Sequence, residues 1–136
     1  PSFLFEEEII KLTKKIQSGL VSSIWIQFGT NFKLLESRLE ILKEVIILAE
    51  KTKITKSNII LYGSILIPSK QFLARFKYRP WKGVYCSQDF LGSLEVANNM
   101  VINLLKTYKE YNIFPIIETN TSTEDHLNKL KLTLNL

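Results

Sequence analysis

Three short apolar runs punctuate the chain, at residues 23–28 (SIWIQF), 59–62 (IILY) and 113–118 (IFPIIE), and long stretches of helical periodicity lie between them. This alternation constrains the fold more than any other feature. Strands joined through helices of that length pair in parallel by right-handed crossovers, which makes an α/β protein of successive βα units. In the first run Ile24, Ile26 and Phe28 share one face, and Trp25 and Gln27 share the other. A glutamine inside an apolar strand needs a partner or a cavity.

The helical stretches carry their own punctuation. Residues 6–17 place Ile9, Ile10, Leu12 and Ile16 on one stripe, with glutamates leading and Lys11, Lys14 and Lys15 following, a charge order that suits the helix dipole. Gly19 stops that helix. Thr30-Asn31 caps a second helix over 32–51, with Leu35, Leu39, Leu42, Val45, Ile46 and Ala49 inward. Residues 52–58 read as a polar connector, and Gly63 is expected to end the second strand. A short helix over 70–77 carries Phe72, Leu73 and Phe76, and Arg79-Pro80-Trp81-Lys82-Gly83 breaks it. Ser93 caps a helix over 94–111, facing Ala97, Val101, Leu104, Leu105 and Tyr108 inward. Ser122 and Asp125 have capping-box spacing and open a last helix with Leu127, Leu130 and Leu134. The mixed stretch 62–92 reads as a loop, a short helix and a second loop at a strand end, a position that often carries function.

Composition narrows the class. The chain has 136 residues, 46% of them hydrophobic, enough for one domain spanning 1–136. The net charge of +5 comes from lysines dispersed along the chain, so a nucleic-acid partner is not indicated; one phosphate-bearing ligand is a better use of the surplus. The single cysteine, Cys86, excludes an intrachain disulfide and a multi-cysteine zinc site, and suits a reducing, cytoplasmic setting. No metal site is expected. No apolar run reaches the roughly 18 residues of a membrane span, and no signal-peptide pattern is present. His126 is the only histidine, and no nucleophile-elbow motif accompanies it. Neither GxGxxG nor GxxxxGK[ST] occurs. The chain starts at Pro1 and its only methionine is Met100, so either an initiator methionine has been removed or this is a piece of a longer protein.

Three parallel strands cannot close a barrel. The chain is therefore either a small open three-layer α/β sandwich or part of a (β/α)8 TIM barrel. In both, ligands sit beyond the C-terminal ends of the strands, which gathers residues 27–31, 62–70 and 118–122 around one mouth.

The order of motifs resembles the C-terminal part of the methylenetetrahydrofolate reductase family, flavin-dependent (β/α)8 barrels. The likeness runs through EEEIIKLTKKIQSG leading into IWIQF, then IILYGSILIPS, then the short helix with its Arg-Pro-Trp break and the long helix after it, then FPIIETN and a final helix. It spans nearly the whole chain. It implies an oxidoreductase that passes a hydride from reduced nicotinamide through FAD to a folate. By register with the family's flavin-contacting helix, it implies that Glu8, Lys11, Lys14 and Lys15 bind FAD. It likewise implies that Gln27 holds the pterin by its amide and that Phe72 or Phe76 stacks on the folate. Glu118 and Ser122 stand where the family has a tyrosine and an arginine that help hold folate. The family's catalytic carboxylates belong to earlier strands that no part of this chain matches, so the catalytic residues are unknown. Another segment or chain, or a further copy, would complete the barrel. Two readings stand beside this one: a non-catalytic α/β domain that binds a partner through its strand edges and the 72–81 surface, and a binder of anionic metabolites using Ser64, Ser69 and Lys70.

Overall fold

A computed structural model of the chain describes residues 2–52 and 58–136. Its elements run α1 (Ser2–Gln17), β1 (Ser23–Ile26), α2 (Phe32–Thr52), β2 (Ile60–Leu66), α3 (Lys70–Tyr78), α4 (Gln88–Gly92), α5 (Leu94–Glu110), β3 (Ile113–Glu118) and α6 (Glu124–Leu134). The three strands form one open parallel sheet in the order β1-β2-β3. Most of the expected connector over 52–58 lies outside the described residues.

The strand order decides the layering. It follows the chain without reversal, so crossovers of the usual hand put α2 and the α3–α5 segment on the same side of the sheet. Burial agrees. Ile65 and Ile113 point into the helical side and are buried, and Phe28, just past β1, packs its ring on Phe90 of α4. Tyr108, Val101, Leu104 and Ala97 of α5 close over them. The opposite side is bare over most of its length: Trp25 is 69% exposed and Phe114 61%. Helices therefore cover one face only. The described chain is an open two-layer α/β unit, and the three-layer sandwich weighed from sequence does not form, because that arrangement needs a crossover on each face.

Gly63 corrects another expectation. It does not end β2; it sits mid-strand, paired between Ile26 and Pro115. The strand runs on to Leu66, through residues read as loop. The reason is lateral. The Tyr108 ring lies directly against Gly63, and a Cβ there would overlap it. The glycine is required by close packing, not by a turn. Gly19, at the end of α1, and Gly83, in the break after α3, are the glycines that turns do need, with φ of +74° and +85°.

Caps fix most helix starts. Ser69, Ser87, Ser93 and Thr123 each accept a backbone N–H from the third residue on, and Asn31 does the same for Leu34. The final helix thus begins one residue later than its capping-box pattern suggests. The five-residue α4 went unseen because so short an element shows no periodicity; only its Ser87 cap betrays it. At the sheet edge, Glu118 points its carbonyl toward β2, accepting the Ile67 N–H at 3.1 Å. Alternation then turns the backbone of Ile113, Pro115 and Ile117 outward, so the donor that proline lacks is missing from the free edge.

Candidate functional site

A docked segment closes the C-terminal end of β1. Beyond β1, Gly29 pairs with Tyr85 in a single parallel bridge, and the Thr30 N–H donates to the Tyr85 carbonyl at 3.1 Å. The Thr30 hydroxyl, itself buried, accepts the Ser87 N–H at 2.7 Å. Residues 84–87 are thereby tied across the top of β1. Cys86 is buried in this segment; burial pushes its thiol up to about 11, so it stays protonated and is a packing residue rather than a nucleophile.

Two clefts flank this rim. The first, of about 1120 Å³, lies between α1 and α2 on the helical side of β1. Its floor is apolar, with Leu12, Ile24, Ile26 and Phe28, and Glu8, Lys11 and Lys15 border it. Lys11 donates to Glu8 at 3.1 Å, so its charge is partly spent. Arg38 stands 4.8 Å over the Phe5 ring and closes one wall by cation–π contact. Lys14 is exposed and does not border this cleft. Gln27, one residue past β1, is exposed and borders the cleft.

The second cleft, of about 760 Å³, opens at the C-terminal ends of β2 and β3. Phe72, Phe76 and Trp81 form its aromatic wall, with Phe72 and Trp81 edge to face at 5.6 Å. Phe76 is buried and belongs to the core, so its ring supports that wall from behind. Arg75, Glu118 and His126 supply charge and polarity around it. Glu118 accepts a hydrogen bond from the Ser64 hydroxyl on the neighbouring strand. Ser122 stands exposed in the loop before α6.

The residues singled out from sequence thus fall into two groups. Glu8, Lys11, Lys15 and Gln27 share the first cleft; Phe72, Phe76 and Glu118 share the second; Lys14 joins neither. Sequence reasoning missed a third feature. Trp25, Tyr62 and Phe114 stand in register on three adjacent strands. Their rings follow one another at 5.4 and 6.0 Å across the bare face. Each residue alone looks like an ordinary strand aromatic, and only the pairing register makes them a row. Among the described residues no helix is long and apolar enough to cross a membrane. Comparison of the chain with protein-family models, with curated proteins and with solved structures finds no match.

Proposed function

We propose that this chain is the folate- and FAD-binding segment of a methylenetetrahydrofolate-reductase-like (β/α)8 barrel. One observation carries the reading: a sheet wound in a single direction, covered by helices on one side only, with both outer edges and an aromatic row left open. An isolated domain hides such a surface. A barrel segment does not, because that face is the barrel interior and those edges continue into neighbouring strands. In this reading the missing strands come from another segment or chain, or from a further copy.

The residues suit the ligands. A flavin needs an apolar floor for its ring and cations for its phosphates. The first cleft has such a floor, with Lys15 unspent on its border and Lys11 tied to Glu8. When bound, FAD would supply the hydride chemistry, and this chain would supply position. Gln27, which the resemblance gives to the pterin, borders the first cleft instead, where its amide, able to donate and accept, would meet the edge of the flavin ring. Phe72 and Trp81 offer flat surfaces for the folate ring system. The reduced nicotinamide and the catalytic acid would be held by the completing strands.

The test is to purify the full-length protein together with whatever polypeptide completes the barrel. Flavin absorbance should copurify, and folic acid should bind. A colourless protein that binds no folate would overturn the reading.

A second reading has its own observation. From Lys70 to Gln88 the chain has five basic residues and no acidic one, with Tyr78 at the end of α3 93% exposed. That surface suits a protein partner with no catalysis involved. A stable complex that binds neither flavin nor folate would favour it.

A further inference from the structure

We infer that Glu118, held in place by the Ser64 hydroxyl, is the residue by which the second cleft selects its ligand, and that the ligand must turn paired N–H donors of a flat ring toward it. The inference rests on the folate reading and adds to it which edge of the ring this chain recognises.

The geometry comes from the sheet. Ser64 pairs in register with Ile116, and Glu118 lies two residues further along β3 on the same bare face. Its carboxylate reaches back to the hydroxyl, which donates to Oε1. One hydrogen bond leaves most of a carboxylate's acceptor capacity unused. Among the described residues no lysine or arginine forms an ion pair with Glu118, so its charge is not answered from within the fold. The group borders the cleft beside Phe72 and Trp81, with Arg75 and His126 also on its lining. Arg75 can meet acceptors or anions on a ligand; Glu118 can only accept. A flat ring seated against the aromatic wall must therefore bring donors to the Glu118 side. A ring with a carbonyl there would set oxygen against oxygen.

Ser64 acts through Glu118 and is a positioning residue. It confines one carboxylate oxygen and so aims the other. The aromatic wall, the carboxylate and the hydroxyl come from α3 with its following turn, from β3 and from β2. Their meeting is a consequence of the parallel register and not of any local sequence motif.

The experiment uses the full-length protein and two fluorescent rings. Pterin carries a 2-amino group; lumazine carries an oxo group in its place. Fluorescence anisotropy gives the affinity for each. Wild-type protein is expected to prefer pterin by about tenfold, because Glu118, exposed in the free chain, is covered once a ring seats against the aromatic wall and a charged acceptor then discriminates by this much. Glu118→Gln keeps the shape and should bring the two affinities to within about twofold, because a neutral amide accepts weakly and also donates. Ser64→Ala should lower the preference about threefold, and Ser64→Thr, which keeps the hydroxyl, should hold it. Equal binding of both rings by the wild type, or a preference that survives Glu118→Gln, would overturn the inference and leave the folate reading standing. Failure of the wild type to bind either ring overturns both.

Discussion

The two faces of one sheet are made by the same three strands and differ in almost everything else. On the covered face Gly63 yields its side-chain space to Tyr108, and Ile65 and Ile113 are sealed. On the bare face Trp25 and Phe114 spread large rings into the open, with Tyr62 half-buried between them. Both are apolar, so hydrophobicity alone does not say which is core. Connection direction does: crossovers of one hand along an unreversed strand order can cover only one side. The covered face is where stability resides, and the bare face is where a partner or ligand gains area.

Substitutions can break or sharpen that contrast. The largest effect is expected at Gly63→Val, whose side chain would collide with the Tyr108 ring; overpacking of this kind should cost about 3 kcal/mol, read from urea unfolding midpoints. Adding Tyr108→Ala should return part of that loss, because the two changes share one space. If Gly63→Val is neutral, the close packing of α5 on β2 is wrong.

Tyr108→Phe probes the same face more gently. The Tyr108 hydroxyl donates to the Ser64 carbonyl at 3.2 Å, and removing it should cost about 1 kcal/mol. Burial raises this phenol from 10.0 to about 12, so the folded state keeps its proton where the unfolded chain has lost it. The sign follows: the contribution is whole below pH 10.0 and is lost as pH rises toward 12. Tyr111 titrates in the same window, held up first by its hydrogen bond to Glu40. Melting temperature should therefore fall across this range, and Tyr108→Phe should flatten the fall without abolishing it.

The bare face should respond least. Trp25→Ala or Phe114→Ala removes cross-strand ring contacts worth about 0.5 kcal/mol each, and the isolated chain should barely notice. Assembly with a completing segment should suffer far more, as seen by size-exclusion chromatography with light scattering. If either substitution destabilises the isolated chain as much as Gly63→Val does, the face is core and the contrast fails.

Much of this was legible in the sequence, and the failures have causes. Helix and strand order came through because periodicity switches cleanly between 3.6 and 2 at Ser23, Phe32 and Ile113. The face opposite Ile24 and Ile26 was assigned correctly to Trp25, since alternation is strict in a strand; Gln27 lies past the end of β1 and borders the cleft floored by Ile24, Ile26 and Phe28. Gly63 misled because a glycine read locally signals a break; its true partner, Tyr108, is 45 residues away by position number. The aromatic row and the Ser64–Glu118 bond escaped for the same reason. Both depend on register between strands, which no single segment contains. The two clefts likewise divide residues that one-dimensional reading had gathered around a single mouth.

Pro115 carries a last implication. Its ring faces the free border of β3 with no hydrogen to offer, between two residues that do have one. A copy of this chain that tried to extend the sheet there would find its ladder interrupted midway, so uncontrolled stacking into fibrils is discouraged on that side. A legitimate neighbour, shaped in advance to bulge or end at that point, would lose nothing. The same missing hydrogen would thus serve as a gate that admits one strand and turns away its look-alikes.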